Sequence, residues 1–192
     1  MRKTTGTQTL VTPRLTLRRL SVQDTDAMYY NWASDARVTH FLRWTPHEGT
    51  EKTRALLALW ESEYALPDTY QWGIVRTQDN TLMGCIGVCP SEHDEQMLEP
   101  GYCIGHAFWG QGYMTEALQA VVDYMFTTVG VPELACCHAV ANPASGAVMR
   151  KCGFVYIHDD TYYKFDGTQV QCACYTLTQE MYDANRRLNA PV

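Results

Sequence analysis

The chain has 192 residues, 46% of them hydrophobic and 19% charged, and a formal net charge of −6. Its length suits one domain with a sizeable core. The acidic balance excludes nucleic acid as the main partner, because phosphate contacts need clustered Lys and Arg, and no apolar run approaches the roughly 20 residues of a membrane helix.

Arg2 and Lys3 are followed by a polar stretch from Thr4 to Thr9, too polar for a signal-peptide core, so a cytoplasmic location is expected. The first strand falls at Leu15 to Leu20, where apolar and polar residues alternate. Ser21 with Asp24 resembles a capping box and opens a helix through about Trp32. Thr45-Pro46 and Thr50 offer further start signals. From Thr53 on, Leu56, Leu57, Trp60 and Tyr64 recur at helical spacing, and Pro67 ends that segment. Strands at Tyr70 to Arg76, Leu82 to Cys89 and Glu99 to Ile104 predict a meander, with an acidic, exposed loop at Pro90 to Gln96.

The second half changes character. Met114, Ala117, Leu118, Val121, Val122 and Met125 mark one face of a helix that Gly130 closes. A strand at Leu134 to Val140 follows. Asn142-Pro143 supplies an N-cap and a first-turn proline for the next helix, with Gly153 past its end. Phe154 to His158 and Val170 to Leu177 finish the sheet around an Asp166-Gly167 turn. The eight cysteines form no CxxC pair and have no matching His pair; most sit in apolar stretches as small buried hydrophobes, so no metal is expected. Without repeats or linkers, residues 1–192 are expected to form a single domain with a core at about residues 12–180.

The informative stretch is Trp109-Gly110-Gln111-Gly112-Tyr113-Met114-Thr115. Two glycines stand between a strand and an amphipathic helix. Glycine lets the backbone approach a ligand, and a helix start offers unpaired N–H groups and a positive dipole end, which suit a pyrophosphate. A dinucleotide fingerprint needs a third glycine where Thr115 stands and an acidic residue ending the next strand, and neither is present. No G-K-S/T follows, so a Walker loop is excluded as well.

Gly101-Tyr102, the loop from Trp109 to Tyr113 and Thr115-Glu116-Ala117-Leu118 resemble the acyl-CoA loop of GCN5-related (GNAT) acetyltransferases. Asn142-Pro143-Ala144-Ser145 with Val148-Met149, Lys151 and Cys152-Gly153-Phe154 is similar to that family's second motif. Thr12-Pro13-Arg14-Leu15-Thr16-Leu17-Arg18 resembles the start of its Rim-type branch, which includes ribosomal-protein N-terminal acetyltransferases. Ala107 departs from the Arg or Gln often found three residues before the first glycine.

The resemblance implies an α+β fold of three layers: a mixed, mostly antiparallel sheet of six to seven strands with helices on both faces. It implies an enzyme that moves an acetyl group from acetyl-CoA to a primary amine by direct attack in a ternary complex. The alternative is a non-catalytic acyl-CoA sensor. Cofactor contacts are expected from Ile104, Trp109, Gly110, Gln111, Gly112, Tyr113, Met114, Thr115, Asn142 and Ser145. Trp109 is equally readable as core. Ser145 is expected to support the leaving thiolate and Glu99 to act as the base, ahead of His138. The glutamate assigned to the last hairpin of Rim-type enzymes has no counterpart between Asp160 and Asp166. Acceptor-groove aromatics are Trp32, His40, Phe41, Trp44, Tyr162 and Tyr163, and they fit a small amine or a peptide N-terminus. The negative charge favours such a cationic acceptor. Monomer and homodimer are both compatible with the sequence.

Overall fold

Eight strands hydrogen-bond into one sheet in the order β1-β2-β3-β4-β5-β6-β8-β7. They are β1 (Leu10–Val11), β2 (Leu15–Arg18), β3 (Tyr70–Arg76), β4 (Thr81–Pro90), β5 (Leu98–Ile104), β6 (Glu133–Ala139), β7 (Val155–Tyr163) and β8 (Gln169–Thr178). The computed structural model describes residues 3–91 and 97–188, so most of the expected acidic loop lies outside the described residues. Every pairing is antiparallel except that of β5 with β6. The expected mixed, mostly antiparallel sheet is therefore present. The strand beyond the expected count is the two-residue β1, whose Leu10 pairs with Leu17.

Helices cover both faces. On one lie α4 (Tyr113–Tyr124), α5 (Pro143–Lys151) and α6 (Gln179–Leu188). Ala117, Leu118, Val121 and Val122 of α4 are fully buried against Leu15, Leu17, Trp72, Ile74 and Ile86 of the sheet. This spacing is the apolar stripe seen in the sequence, and its burial is the main stabilising term for a helix of this length. On the other face lie α1 (Thr25–Met28) and α3 (Thr50–Glu63), with the short α2 (Ala36–Thr39) beside them. There Met28, Trp32 and Leu57 pack on Leu82, Cys85 and Cys103. No helix among the described residues is long and apolar enough to cross a membrane.

The expected first helix is broken. The Ser21–Asp24 capping box forms, but over a 3-10 turn at Val22–Asp24, and α1 then runs into a π turn at Tyr29–Ala33. The wider turn is closed by Ser34, whose N–H and hydroxyl both donate to the Tyr29 carbonyl, at 3.1 and 2.8 Å. It sets Asn31 against the sheet, where its amide donates to the Leu82 carbonyl at 2.7 Å. A periodicity reading has no signal for one inserted residue.

The packed region also exceeds residues 12–180. Tyr124 donates to the Gly6 carbonyl at 2.6 Å and Trp72 to the Gln8 carbonyl at 2.6 Å. At the other end Tyr182 of α6 stacks on Phe126 with ring centroids 4.7 Å apart. A helix as polar as α6 was not legible, since Tyr182 is its sole buried residue. Leu118→Ala removes a fully buried side chain under the sheet. It is expected to cost about 2–5 kcal/mol, read as a lowered midpoint in urea unfolding.

Candidate active site

The parallel strands β5 and β6 share a single rung, Leu98 with Leu134. Past it they diverge and open a wedge in the middle of the sheet. Glu99 bridges the start of that wedge. Its Oε1 accepts from the Cys137 N–H at 3.1 Å and its Oε2 from the Ser91 hydroxyl at 2.9 Å. The carboxylate thus takes the donor that a continued ladder would have used, which is a structural duty alongside any catalytic one.

β5 leads through Gly105 and a 3-10 turn at His106–Phe108 into the glycine loop. Gly110 has φ +72° and Gly112 φ +80°, the left-handed region where a Cβ is strained. Gly112 is the N-cap of α4. The amides of Tyr113, Met114 and Thr115 precede the first intrahelical bond, from Glu116 N–H to the Gly112 carbonyl at 3.1 Å, so they remain available to an anion. The loop is held from three sides. Trp109 Nε1 donates to the Ile104 carbonyl at 2.8 Å, and Gln111 Nε2 donates to the Ala107 carbonyl at 2.9 Å. Arg14 Nη1 donates to the Gln111 carbonyl at 3.0 Å.

Arg14 is itself fixed by Glu116, whose carboxylate also accepts from the Thr12 hydroxyl and the Arg14 N–H, at 2.7 and 2.9 Å. Burial alone would raise the Glu116 carboxyl, but those hydrogen bonds and the Arg14 charge outweigh it and hold it below its ordinary value of 4.5.

At the start of α5, the Asn142 side chain caps the helix by accepting from the Ser145 N–H at 3.4 Å. Gly146 lets this helix lie close to β6, where a Cβ would collide with the His138 ring. His138 is buried, its Nδ1 2.8 Å from the Ala139 carbonyl and its Nε2 3.4 Å from the Tyr175 hydroxyl. Ser145 Oγ lies 3.0 Å from the Tyr102 hydroxyl, which also reaches the Ser145 carbonyl at 3.3 Å. Burial pushes the Tyr102 phenol well above its usual range, so it stays protonated and can donate.

Two cavities meet at this hydroxyl pair. A groove of about 360 Å³ is lined by Ile104, Trp109, Gly110, Gly112, Tyr113, Met114, Thr115, Asn142 and Ser145. The sequence reading gathered all of these. Gln111 is the exception: its side chain folds back on Ala107 and it does not line the groove. Trp109 is 46% exposed, which resolves its role against core packing. Lys151 adds positive charge to the groove wall, and Arg37 also lines it but is paired with Asp35 at 2.6 Å; neither carries a site role in the sequence.

The second cavity, about 800 Å³, holds Glu99, Cys137 and His138 together with Phe41, Trp44 and Tyr162. Tyr102, Asn142 and Ser145 belong to both walls. Three expected groove aromatics lie elsewhere. Trp32 is fully buried under the sheet, whereas His40 and Tyr163 are exposed and line neither cavity. His47, Trp60 and Phe165 take part instead.

A family profile described as "Acetyltransferase (GNAT) domain" matches residues 14–155. The chain belongs to the GNAT acetyltransferase family. It is an acetyltransferase, and the family uses acetyl-CoA. The uncharacterized N-acetyltransferase p20 of Bacillus licheniformis is 28% identical over 124 residues, 65% of this chain and 69% of that protein. A GNAT-family acetyltransferase structure from Bacillus anthracis superposes with a TM-score of 0.77 at 20% identity, covering 90% of this chain and 99% of that one. Spermidine N-acetyltransferase from Vibrio cholerae, solved with CoA and spermine, gives 0.73 at 19%, covering 89% and 99%. At such identities the structural likeness is one of fold.

Gly112→Val forces a β-branched residue to φ +80° at the helix start. It is expected to weaken acetyl-CoA binding at least about tenfold by calorimetry, near 1.4 kcal/mol, while circular dichroism stays near native. Glu116 yields a pH prediction. A depressed carboxyl stabilises the fold above its unfolded value, and that contribution is lost as pH falls through the folded value. The stability gap between the native chain and Glu116→Gln is therefore widest near neutral pH. It is expected to shrink below the ordinary value of 4.5, as measured by urea unfolding at about pH 7 and about pH 3.5.

Proposed function

We propose that this protein transfers acetyl from acetyl-CoA directly to a primary amine, with the groove beside the glycine loop taking the cofactor and the larger cavity taking the acceptor. The observation that carries this reading is the Tyr102–Ser145 hydroxyl pair at the junction of the two cavities. The groove fits the cofactor's anionic end. It has two left-handed glycines, amides at a helix start that precede the first intrahelical bond, and the basic side chain of Lys151. Gly110 to Thr115 would hold the pyrophosphate, and the free β5 edge up to Ile104 would pair with the pantetheine arm. Bound there, the cofactor supplies an acetyl thioester whose carbonyl carbon is open to an amine.

Proton handling falls to three side chains. Among the described residues, the Glu99 carboxylate accepts from the Cys137 N–H and the Ser91 hydroxyl, and with about four lone-pair sites a carboxylate keeps capacity for the proton that the attacking amine loses. The protonated Tyr102 phenol and the Ser145 hydroxyl, at the junction of the two cavities, would be the donors to the departing thiolate. Tyr102 lies inside the Gly101-Tyr102 resemblance, which assigns it no chemical role. Direct attack is favoured over an acyl-cysteine because the Cys137 thiol, in the acceptor cavity, is pushed well up by burial and by the Glu99 charge. It holds no thiolate to act as nucleophile.

Glu99→Gln keeps a carbonyl oxygen for the Cys137 N–H and removes the base. It is expected to lower kcat about a hundredfold on any accepted amine. Tyr102→Phe and Ser145→Ala are each expected to lower it about tenfold or more. Acetyl-CoA affinity should change by less than about threefold in all three, and NAD should not bind. Full kcat in all three variants would overturn the assignment, and acetyl-CoA binding without turnover on any amine would favour the sensor reading.

A further inference from the structure

The acceptor cavity is far larger than a simple alkylamine needs, and aromatic side chains recur along its walls. Phe41, Trp44, Trp60 and Tyr162 line it, and the largely exposed Phe165 borders it. At about 800 Å³ it lies at the upper end of small-ligand pockets, which run roughly 300–1,000 Å³. Its mouth is fixed by the last hairpin gripping the segment after α2. Tyr162 donates to the Phe41 carbonyl at 3.0 Å, the Phe165 N–H to the Arg43 carbonyl at 2.8 Å, and Lys164 Nζ to the His40 carbonyl at 2.6 Å. Fixed aromatic walls reward a rigid apolar body and give nothing to a hydrated chain.

Charge points the same way. Among the described residues, the carboxylates lining the cavity are Glu99 and Asp166, and they are matched by Arg43 and Lys52. Asp166 is engaged by its own turn, accepting from the Thr168 N–H at 2.9 Å. Arg43 lies over the Tyr162 ring, 4.6 Å from its centroid. Burial, with Lys52 nearby, lowers the His47 imidazole, so it adds no charge at neutral pH. Among the described residues, Glu99 is thus the carboxylate left to face an ammonium near the transfer point. A polyamine would bring several charges into a cavity whose described lining sums to none, and each unpaired charge there costs desolvation without repayment.

Resting on the acetyl-transfer reading above, we infer that the acceptor is a primary amine carried on one aromatic or similarly bulky apolar body, and not a polyamine or a small alkylamine. Two sources share that chemistry: an arylalkylamine, and a peptide whose first residue is aromatic.

The test is thiol release from acetyl-CoA with four probes at equal concentration: tryptamine, a phenylalanine-initiated tripeptide, n-propylamine and spermidine. Tryptamine or the tripeptide is expected to show at least a tenfold higher kcat/KM than n-propylamine and spermidine, and whichever leads identifies the source. Trp44→Ala and Trp60→Ala are expected to raise KM for the leading probe at least fivefold, more than they lower kcat. If either variant fails to fold, the four-probe comparison on the unaltered chain still decides. Spermidine or n-propylamine matching the aromatic probes overturns the inference. If no amine releases thiol, the acetyl-transfer reading fails separately. Calorimetry of tryptamine and spermidine on the CoA-saturated chain then decides the acceptor class. Tenfold tighter tryptamine sustains the inference, and equal or tighter spermidine overturns it.

Discussion

The Leu98–Leu134 rung is the constraint on which the rest of the site depends. A parallel pair that continued past it would seal the sheet from end to end. Because it stops after one rung, β5 keeps a free edge toward the groove, and β6 carries Cys137 and His138 into the larger cavity. The wedge then has to be propped open without stranded polar groups. Glu99 satisfies the Cys137 N–H, and the Cys136 thiol reaches the Pro100 carbonyl at 3.6 Å. A carboxylate that is a strut and also borders the acceptor space is positioned by the fold itself, with little freedom to drift.

Around the wedge, the two helix starts do complementary work. The α4 start presents bare amides from a backbone that only glycine tolerates. The α5 start spends its first amides on the Asn142 cap and offers the Ser145 hydroxyl instead. Positive potential from both helix ends converges on the groove. The Arg14–Glu116 clasp ties the turn between β1 and β2 to the loop before α4, so the sheet edge braces the start of that helix.

The layout of the sheet was legible because its elements announce themselves locally. The α4 stripe, the Asn142-Pro143 helix start, the Asp166-Gly167 turn and the meander strands all stand close to where periodicity and turn chemistry put them. What escaped depends on contacts distant in sequence. The two-residue β1 exists because it pairs with β2, and α6 is held largely by one tyrosine. β7 runs on to Tyr163 through an exposed stretch that lacks alternation. At the candidate site, the glycine loop was readable from residue type alone. The chemical place of Tyr102 was not, since only the fold brings its hydroxyl to Ser145, 43 residues away. Trp32, His40 and Tyr163 were misjudged for the same reason, because an aromatic in a sequence does not declare which face it occupies.

The grip of the last hairpin on residues 40–43 has a consequence for how the protein comes into being. The glycine loop, α4 and the strands before it lie within the first two-thirds of the chain, and they can assemble while synthesis continues. The acceptor chamber cannot, because its closing wall, at Tyr162 and Phe165, joins residues about 120 positions earlier. Such long-range closure comes late in folding. A nascent or truncated chain ending before Tyr162 therefore lacks the wall that completes the larger cavity, so the shape of that cavity is acquired only as the final hairpin seats.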